Sequence, residues 1–355
     1  MRMAARRQSG FALLTALWLV AFLALAASAL AVWVGRSTEE ARLLRQRVGE
    51  EAHLADAKAS LLFAFLVQPL SGRGLEVSTS LATLRQASQI AISQPFNTES
   101  RSEDFIALDD RPYRFGNSVE IRIQDSRGLI NLNLATRDEL MRLLARLGVD
   151  QEKLDPLVAK LQDFVDPDDL VRLNGAERDD YLREGLPPPS NALLRTVWEA
   201  RRVMGWRSAP SLWDKGGLSD VATASSIVGY NLNTAPALVL EVVAGMTAES
   251  AAKAVEFRRR TPLITPDSLV GFGAPLVLAD QLRFIPFPGD TMRVTFTFRP
   301  GGRRVQMVFA YSPLSLESPW RIDYQMELAS FPEDAGQSSD PSPEFPDPAA
   351  LLAPR

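Results

Sequence analysis

The hydrophobic pattern changes rhythm along the chain, and each rhythm predicts a different element. From Phe11 to Val34 no residue is charged. As a helix this run is about 36 Å long at the usual rise, enough to cross a hydrocarbon core of about 30 Å. From Ser37 to Val67 there is no proline. There Leu43, Leu44, Val48, Ala52, Ala55, Ala59, Leu62 and Leu66 recur at three-to-four spacing, which predicts one apolar stripe on a continuing helix. Pro69 and Ser71-Gly72-Arg73-Gly74 end it. Leu81–Ile92 reads as a short helix in an otherwise polar loop region. The period becomes two at Val119, Ile121 and Ile123, behind Tyr113–Phe115 and a Gly116-Asn117 turn, predicting a hairpin. It is two again in 291–298, 303–311 and 320–328, which read as three strands, with a Pro300-Gly301-Gly302 turn between the first two. Beyond Phe331 the chain is rich in Pro, Ser, Asp and Glu and reads as disordered.

Between hairpin and final strands the rhythm is helical, and it repeats. Ile130-Asn131-Leu132-Asn133-Leu134-Ala135 is echoed by Tyr230-Asn231-Leu232-Asn233-Thr234-Ala235. Each copy leads into an apolar-periodic helix, then a glycine (Gly148 or Gly245), then a further helix. The Asn and Thr residues are N-cap candidates, and Thr136 with Glu139 fits a capping box. The unit resembles the helix-hairpin-helix of DNA-binding proteins. In that motif a Gly-x-Gly turn offers backbone N–H groups to phosphate. Here the turns are Gly148-Val149-Asp150 and Gly245-Met246-Thr247, both without the second glycine, and Asp150 would repel phosphate. Arg258, Arg259 and Arg260 form a basic spot at a helix end, where arginines also cap carbonyls. The repeats therefore read as structural, with a membrane-tethered DNA-binding protein as the rival.

Composition narrows the chemistry. The 355 residues carry 39 Lys+Arg and 43 Asp+Glu, a formal net charge of −4, so no general affinity for nucleic-acid backbones is expected. There is no cysteine, which removes disulfides and thiolate chemistry. The one histidine, His53, lies in a helical pattern without a nucleophile beside it. No nucleophile–base set is visible, and a non-catalytic protein is expected.

The start of the chain is more specific. Arg2, Arg6 and Arg7 precede Gly10-Phe11 and favour a cytoplasmic N-terminus. A secretory signal is cut after its apolar region, whereas here the glycine lies before it. On charge alone a plain signal anchor fits as well. Gly10-Phe11, with a basic head before and a long apolar helix after, resembles a type IV pilin or type II secretion pseudopilin. That resemblance implies cleavage by the prepilin peptidase between Gly10 and Phe11, and methylation of the new N-terminus. The family usually has glutamate at the fifth mature position, and here that position is Thr15. Its absence, within the family, is typical of the K-type minor pseudopilin.

The middle of the chain is similar to the same K type. Asp163-Phe164-Val165-Asp166-Pro167-Asp168-Asp169 is followed by Gly175-Ala176-Glu177 with Tyr181, and then by Pro187-Pro188-Pro189-Ser190-Asn191. Asp166, Asp168, Asp169 and Glu177 supply hard oxygen ligands, which suits calcium, and the resemblance implies calcium in this domain. The spacing is not that of an EF-hand. The rival reading is that Asp166–Asp169 start a turn and cap a helix.

Taken together, the resemblance implies an α+β pilin-like fold, a long N-terminal helix packed on an antiparallel sheet. A large inserted all-α domain would hold the two helix-hairpin-helix (SAM-like) repeats. The expected organisation is a leader at 1–10 and the transmembrane and periplasmic halves of the first helix at 11–34 and 35–68. Loop and first strands occupy 69–130, the helical insert 131–283, the final strands 284–331 and a disordered tail 332–355. The implied function is a type II secretion minor pseudopilin in the bacterial inner membrane with a periplasmic bulk, capping the pseudopilus and helping start its assembly. Implied partners are the I and J minor pseudopilins through the first helix, the prepilin peptidase, inner-membrane lipid and the assembly platform, with no nucleic acid. A minor pilin of a type IV filament is the nearer alternative.

Overall fold

The computed structural model describes residues 9–77, 105–275, 283–299, 302–312, 315–329 and 342–346. The expected helix at Leu81–Ile92 and the first eight residues of the leader lie outside them. The chain divides into two compact units, Met1–Asp56 and Ala57–Arg355.

The first unit belongs to helix α1, Ser9–Val67. From Phe11 to Val34 its large apolar side chains are 45–73% exposed. A span within Leu13–Val67 is long and apolar enough to cross a membrane. The continuation past the apolar run is as expected, and α1 stops just before Pro69, which cannot donate the next helical hydrogen bond.

In the second unit, a small sheet comes first, made of β1 Leu70–Ser71, β2 Gly74–Glu76 and β3 Phe105–Ile106. The main sheet has five antiparallel strands. They are β4 Asp109–Phe115, β5 Val119–Asp125, β8 Thr291–Phe298, β9 Arg304–Tyr311 and β10 Trp320–Leu328. Their order across the sheet is β10-β9-β8-β5-β4. The predicted hairpin and all three final strands are therefore present. Register places Ile121 opposite Phe296 and Phe296 opposite Val305, with Ile123, Val294 and Met307 on the next rung. These side chains are buried. Phe65 on the last turn of α1 meets Phe309 edge-on, with ring centroids 5.3 Å apart.

The buried face at the end of α1 is Ala57, Leu61, Leu62, Ala64 and Phe65, not the predicted stripe, of which only Leu62 is buried. Leu61–Val67 is almost wholly apolar, so periodicity cannot choose its inner face; the sheet does. The polar rungs of β8 also differ from a half-exposed strand. Thr291, Arg293, Thr295 and Thr297 are buried. Arg293 donates to the carbonyls of Ser219, Asp220 and Ala222 around helix α5, Leu218–Val221. It completes carbonyls that the end of a helix leaves open.

β5 and β8 are sheet neighbours, yet residues 126–290 run between them. This excursion holds α2 Arg137–Arg146, α3 Gln151–Val165, α4 Arg178–Arg183, α5, α6 Ala237–Ala244 and α7 Ala248–Arg258, around their own core. It is not purely helical, because β6 Ile130–Asn131 pairs in parallel with β7 Ala222–Thr223. The expected disorder of the tail does not extend to 342–346, where Glu344 bridges Arg114 and Phe345 is buried.

Candidate functional site

The two Asn repeats fold alike. Asn131 Oδ1 accepts from the N–H of Asn133 at 3.0 Å, and Asn231 Oδ1 from the N–H of Asn233 at 3.0 Å. The second asparagine of each pair then clamps a distant backbone. Asn133 accepts from Leu194 N–H (2.9 Å) and donates to its carbonyl (2.9 Å); Asn233 does the same with Leu263 (2.7 and 3.0 Å). The asparagines therefore make turns and clamps and do not cap the helices. Thr136 caps α2, with the expected box to Glu139, and the cap position of α6 is Pro236. Gly148 (φ 81°) and Gly245 (φ 64°) turn the chain through the left-handed region that glycine enters without strain. At the first turn the N–H groups of Gly148 and Val149 bond Ala145 and Leu144 carbonyls (3.1 and 3.0 Å), so they do not point at an outside anion. Arg258 is buried and donates to the carbonyls of Leu232 and Ala235; Arg259 pairs with Glu256 at 2.8 Å.

The acidic segment begins where α3 ends. Asp163, in the last turn, is fully buried and organises the loop beyond the helix. Its Oδ2 accepts from Ala176 N–H (2.9 Å) and Arg172 N–H (3.2 Å), and its Oδ1 from the Arg172 guanidinium (2.7 Å). The loop 167–176 is thus folded back over the helix end. Gly175 makes this possible, because a Cβ there would lie 1.9 Å from Asp163 Oδ2. Gly175→Ala is expected to cost about 2 kcal/mol by displacing this buried hydrogen-bonded carboxylate, measured by urea unfolding of the chain in detergent. An unchanged midpoint would contradict the close approach.

Four acceptor oxygens nearby have no hydrogen-bond partner although buried: Asp166 Oδ1, both Glu177 oxygens and Asn191 Oδ1. Asp166 also bonds Arg172 through Oδ2. Asn191 donates from Nδ2 to Asp168 O (3.0 Å) and Asp169 Oδ1 (2.9 Å), which brings the third motif onto the first. Its backbone is left-handed, φ 45°. Glu177 is 4% exposed. Burial, then the fields of Asp163, Asp166, Asp169 and Asp168, push its pKa up to about 7. An ionised carboxylate can accept but not donate, so the Asp166 and Glu177 oxygens call for a cation or a proton.

Of the four residues expected as ligands, Asp166 and Glu177 present such oxygens. Asp168 and Asp169 are exposed; Asp168 Oδ1 takes the Leu170 N–H at 2.9 Å, making a turn. Among the described residues, no three His, Cys, Asp or Glu side chains form a metal-holding group. A calcium ion would therefore need Asn191 Oδ1 and carbonyl oxygens alongside Asp166 and Glu177. That hard-oxygen set fits calcium. Two members of this site are not evident from spacing. Asn191 stands in its motif without a sign of its role, and the only local sign of Asp163 is a charged residue within the apolar end of α3.

At the other end of the chain, the backbones of Gly10 and Phe11 lie in α1, and Phe11 is 72% exposed. Thr15 donates from Oγ1 to the Phe11 carbonyl at 3.2 Å.

Comparison with known proteins bears on the helical block. Residues 123–211 match the family model "Type II secretion system (T2SS), protein K". This segment is similar to the protein K family of type II secretion systems. The protein K segment begins on β5, runs through α2–α4 and the acidic loop, and ends at Ser211. The chain is also 30% identical over 105 residues to a protein assigned as type II secretion system protein K in Escherichia coli (strain K12). That match covers 25% of this chain and spans about a third (32%) of the relative's length. The fold resembles a chain of the GspK-GspI-GspJ complex from enterotoxigenic Escherichia coli, at TM-score 0.51 and 17% identity. The alignment covers 81% of this chain and 99% of that one.

Proposed function

We propose that this chain is a K-type minor pseudopilin of a type II secretion system, a structural subunit and not an enzyme. The observation that carries this reading is the protein K match over residues 123–211, joined to an N-terminal helix apolar enough to span a membrane. In this reading the prepilin peptidase cuts between Gly10 and Phe11, the apolar half of α1 stays in the inner membrane, and the second unit lies in the periplasm. The same helix packs with those of I- and J-type minor pseudopilins, the partners named with the structural neighbour. Thr15, with no carboxylate to pair with a neighbour's N-terminal amine, and the bulky helical block suit a subunit at the tip of the filament. There it would cap the pseudopilus and help start its assembly at the platform.

Within this function, calcium held by Asp166, Glu177 and Asn191, near Asp168 and Asp169, stiffens the loop of the helical block. The ion would supply positive charge to oxygens that lack donors. The decisive measurement is the mass of the mature N-terminus. A chain starting at Phe11 and carrying one methyl group is the expected result. An uncut chain starting at Met1 would remove the pseudopilin reading.

A further inference from the structure

The last described segment, Ser342–Pro346, is seated on the outer edge of β4. Arg114 N–H donates to Pro343 O at 2.8 Å, and Phe345 N–H donates to Arg114 O at 2.7 Å. Phe345 is 3% exposed, its ring 6.3 Å from that of Phe115. The Arg114–Glu344 pair is long (3.9 Å) and solvent-facing, so it adds little.

The rest of this edge is closed to strand addition. Pro112 has no N–H, and the pairing of β4 with β5 shifts between Asp109 and Pro112. Arg114 is thus a two-pronged position beyond the proline, and the segment that meets it is built to match. Pro343 contributes only a carbonyl, Phe345 one N–H and a large apolar ring, and Pro346 ends any ladder. Proline on both sides keeps such a segment extended before it binds, which lowers the entropy lost on docking.

We propose that the β4 edge at Arg114 and Phe115 is an acceptor site for a short extended peptide with an aromatic residue between prolines. This chain's own segment 342–346 is its occupant in the free subunit. Reach does not restrict that occupancy. The sheet is about 19 Å across from β10 to β4, at about 4.8 Å per strand spacing. The twelve residues from 330 to 341 can span about 40 Å. Tethering sets an effective concentration in the millimolar range, so the site is filled in cis even though the same peptide binds only weakly in trans. The segment closes an edge that would otherwise offer a hydrogen-bonding pair and an apolar recess to another chain.

The test uses the full-length chain and a chain truncated after Ala329, both in detergent, with a fluorescent peptide of residues 339–348. The truncated chain is expected to bind the peptide saturably with a Kd of about 0.1 mM or below, at least ten times under the millimolar effective concentration of the tethered segment, and at least 10-fold more weakly when the peptide carries Phe345→Ala. The full-length chain should show at least 10-fold weaker binding, because its own segment fills the site. Equal binding by both chains, or by both peptides, overturns the proposal. A second measurement does not depend on truncation. In full-length Phe345→Ala, exchange of the Arg114 amide hydrogen should accelerate at least 10-fold while that of Ile121 is unchanged. An unchanged Arg114 rate also overturns it.

Discussion

Asp125→Ala is expected to destabilise the second unit by about 4 kcal/mol, the largest effect of any single side chain outside the apolar cores. Asp125 is fully buried at the end of β5. Its Oδ1 accepts from the N–H groups of Arg127 and Gly289, both at 3.0 Å. Its Oδ2 accepts from Asn231 Nδ2 and Thr234 Oγ1, both at 2.9 Å. One carboxylate therefore joins the strand that enters the helical block, the chain that leaves it and the second Asn repeat. Alanine would strand four buried donors, each costing about 1 kcal/mol or more. Asparagine keeps one acceptor oxygen and turns an NH2 toward two donors, so about half the loss is expected. Burial raises the pKa of Asp125 above 3.8, against the four hydrogen bonds that lower it. A raised folded-state pKa means a contribution fully present below the unfolded value and diminishing as pH rises. The gap between wild type and Asp125→Asn should accordingly narrow with increasing pH. Urea unfolding across pH checks both; a loss below about 1 kcal/mol for Asp125→Ala would mean that Asp125 does not hold this junction together.

Calcium should raise the unfolding temperature of the chain by roughly 5–10 °C at a hundredfold excess over Kd, and Glu177→Gln should abolish that gain. Glu177 is the reason: its buried carboxylate has no hydrogen-bond donor, and its pKa is pushed up to about 7. With chelator present the sign is fixed. The folded form holds a proton that the unfolded chain releases above about 4.5, so the contribution of Glu177 is fully present below that pH and is lost as pH rises through 7. With calcium the ion competes with that proton, so its stabilisation grows over the same interval. Glu177→Gln resembles the protonated form. In chelator at pH 8 it should be more stable than wild type, with a flatter pH profile. Thermal unfolding at pH 5.5 and 8, with calcium and with chelator, separates these cases. Identical curves for wild type with and without calcium would leave the acidic segment as a turn held by hydrogen bonds of Asp163, Arg172, Asp168 and Asn191.

The amino-acid order itself determined the elements whose signal is local. The uncharged run Phe11–Val34, the alternation in β5 and the final strands, the Thr136–Glu139 cap and the paired Asn repeats all follow from spacing. Spacing depends only on neighbours in the chain. The acidic, Gly-Ala-Glu and Pro-Ser-Asn motifs were equally legible as a set. What they do to one another was not, because Asp163 gathers Arg172 and Ala176, and Asn191 reaches Asp168 and Asp169, only when the loop after α3 folds back. The same limit applies to the inner face at the end of α1, where Leu61–Val67 is apolar on every side. It also applies to Arg293 on β8, whose place on a polar rung gives no sign of the α5 carbonyls it reaches, and to Phe345, an isolated aromatic in a polar tail. In each case the deciding quantity is the loss of water on contact with residues far away in the chain. Tertiary structure decides which of several permissible faces, acceptors and rings is taken out of solvent.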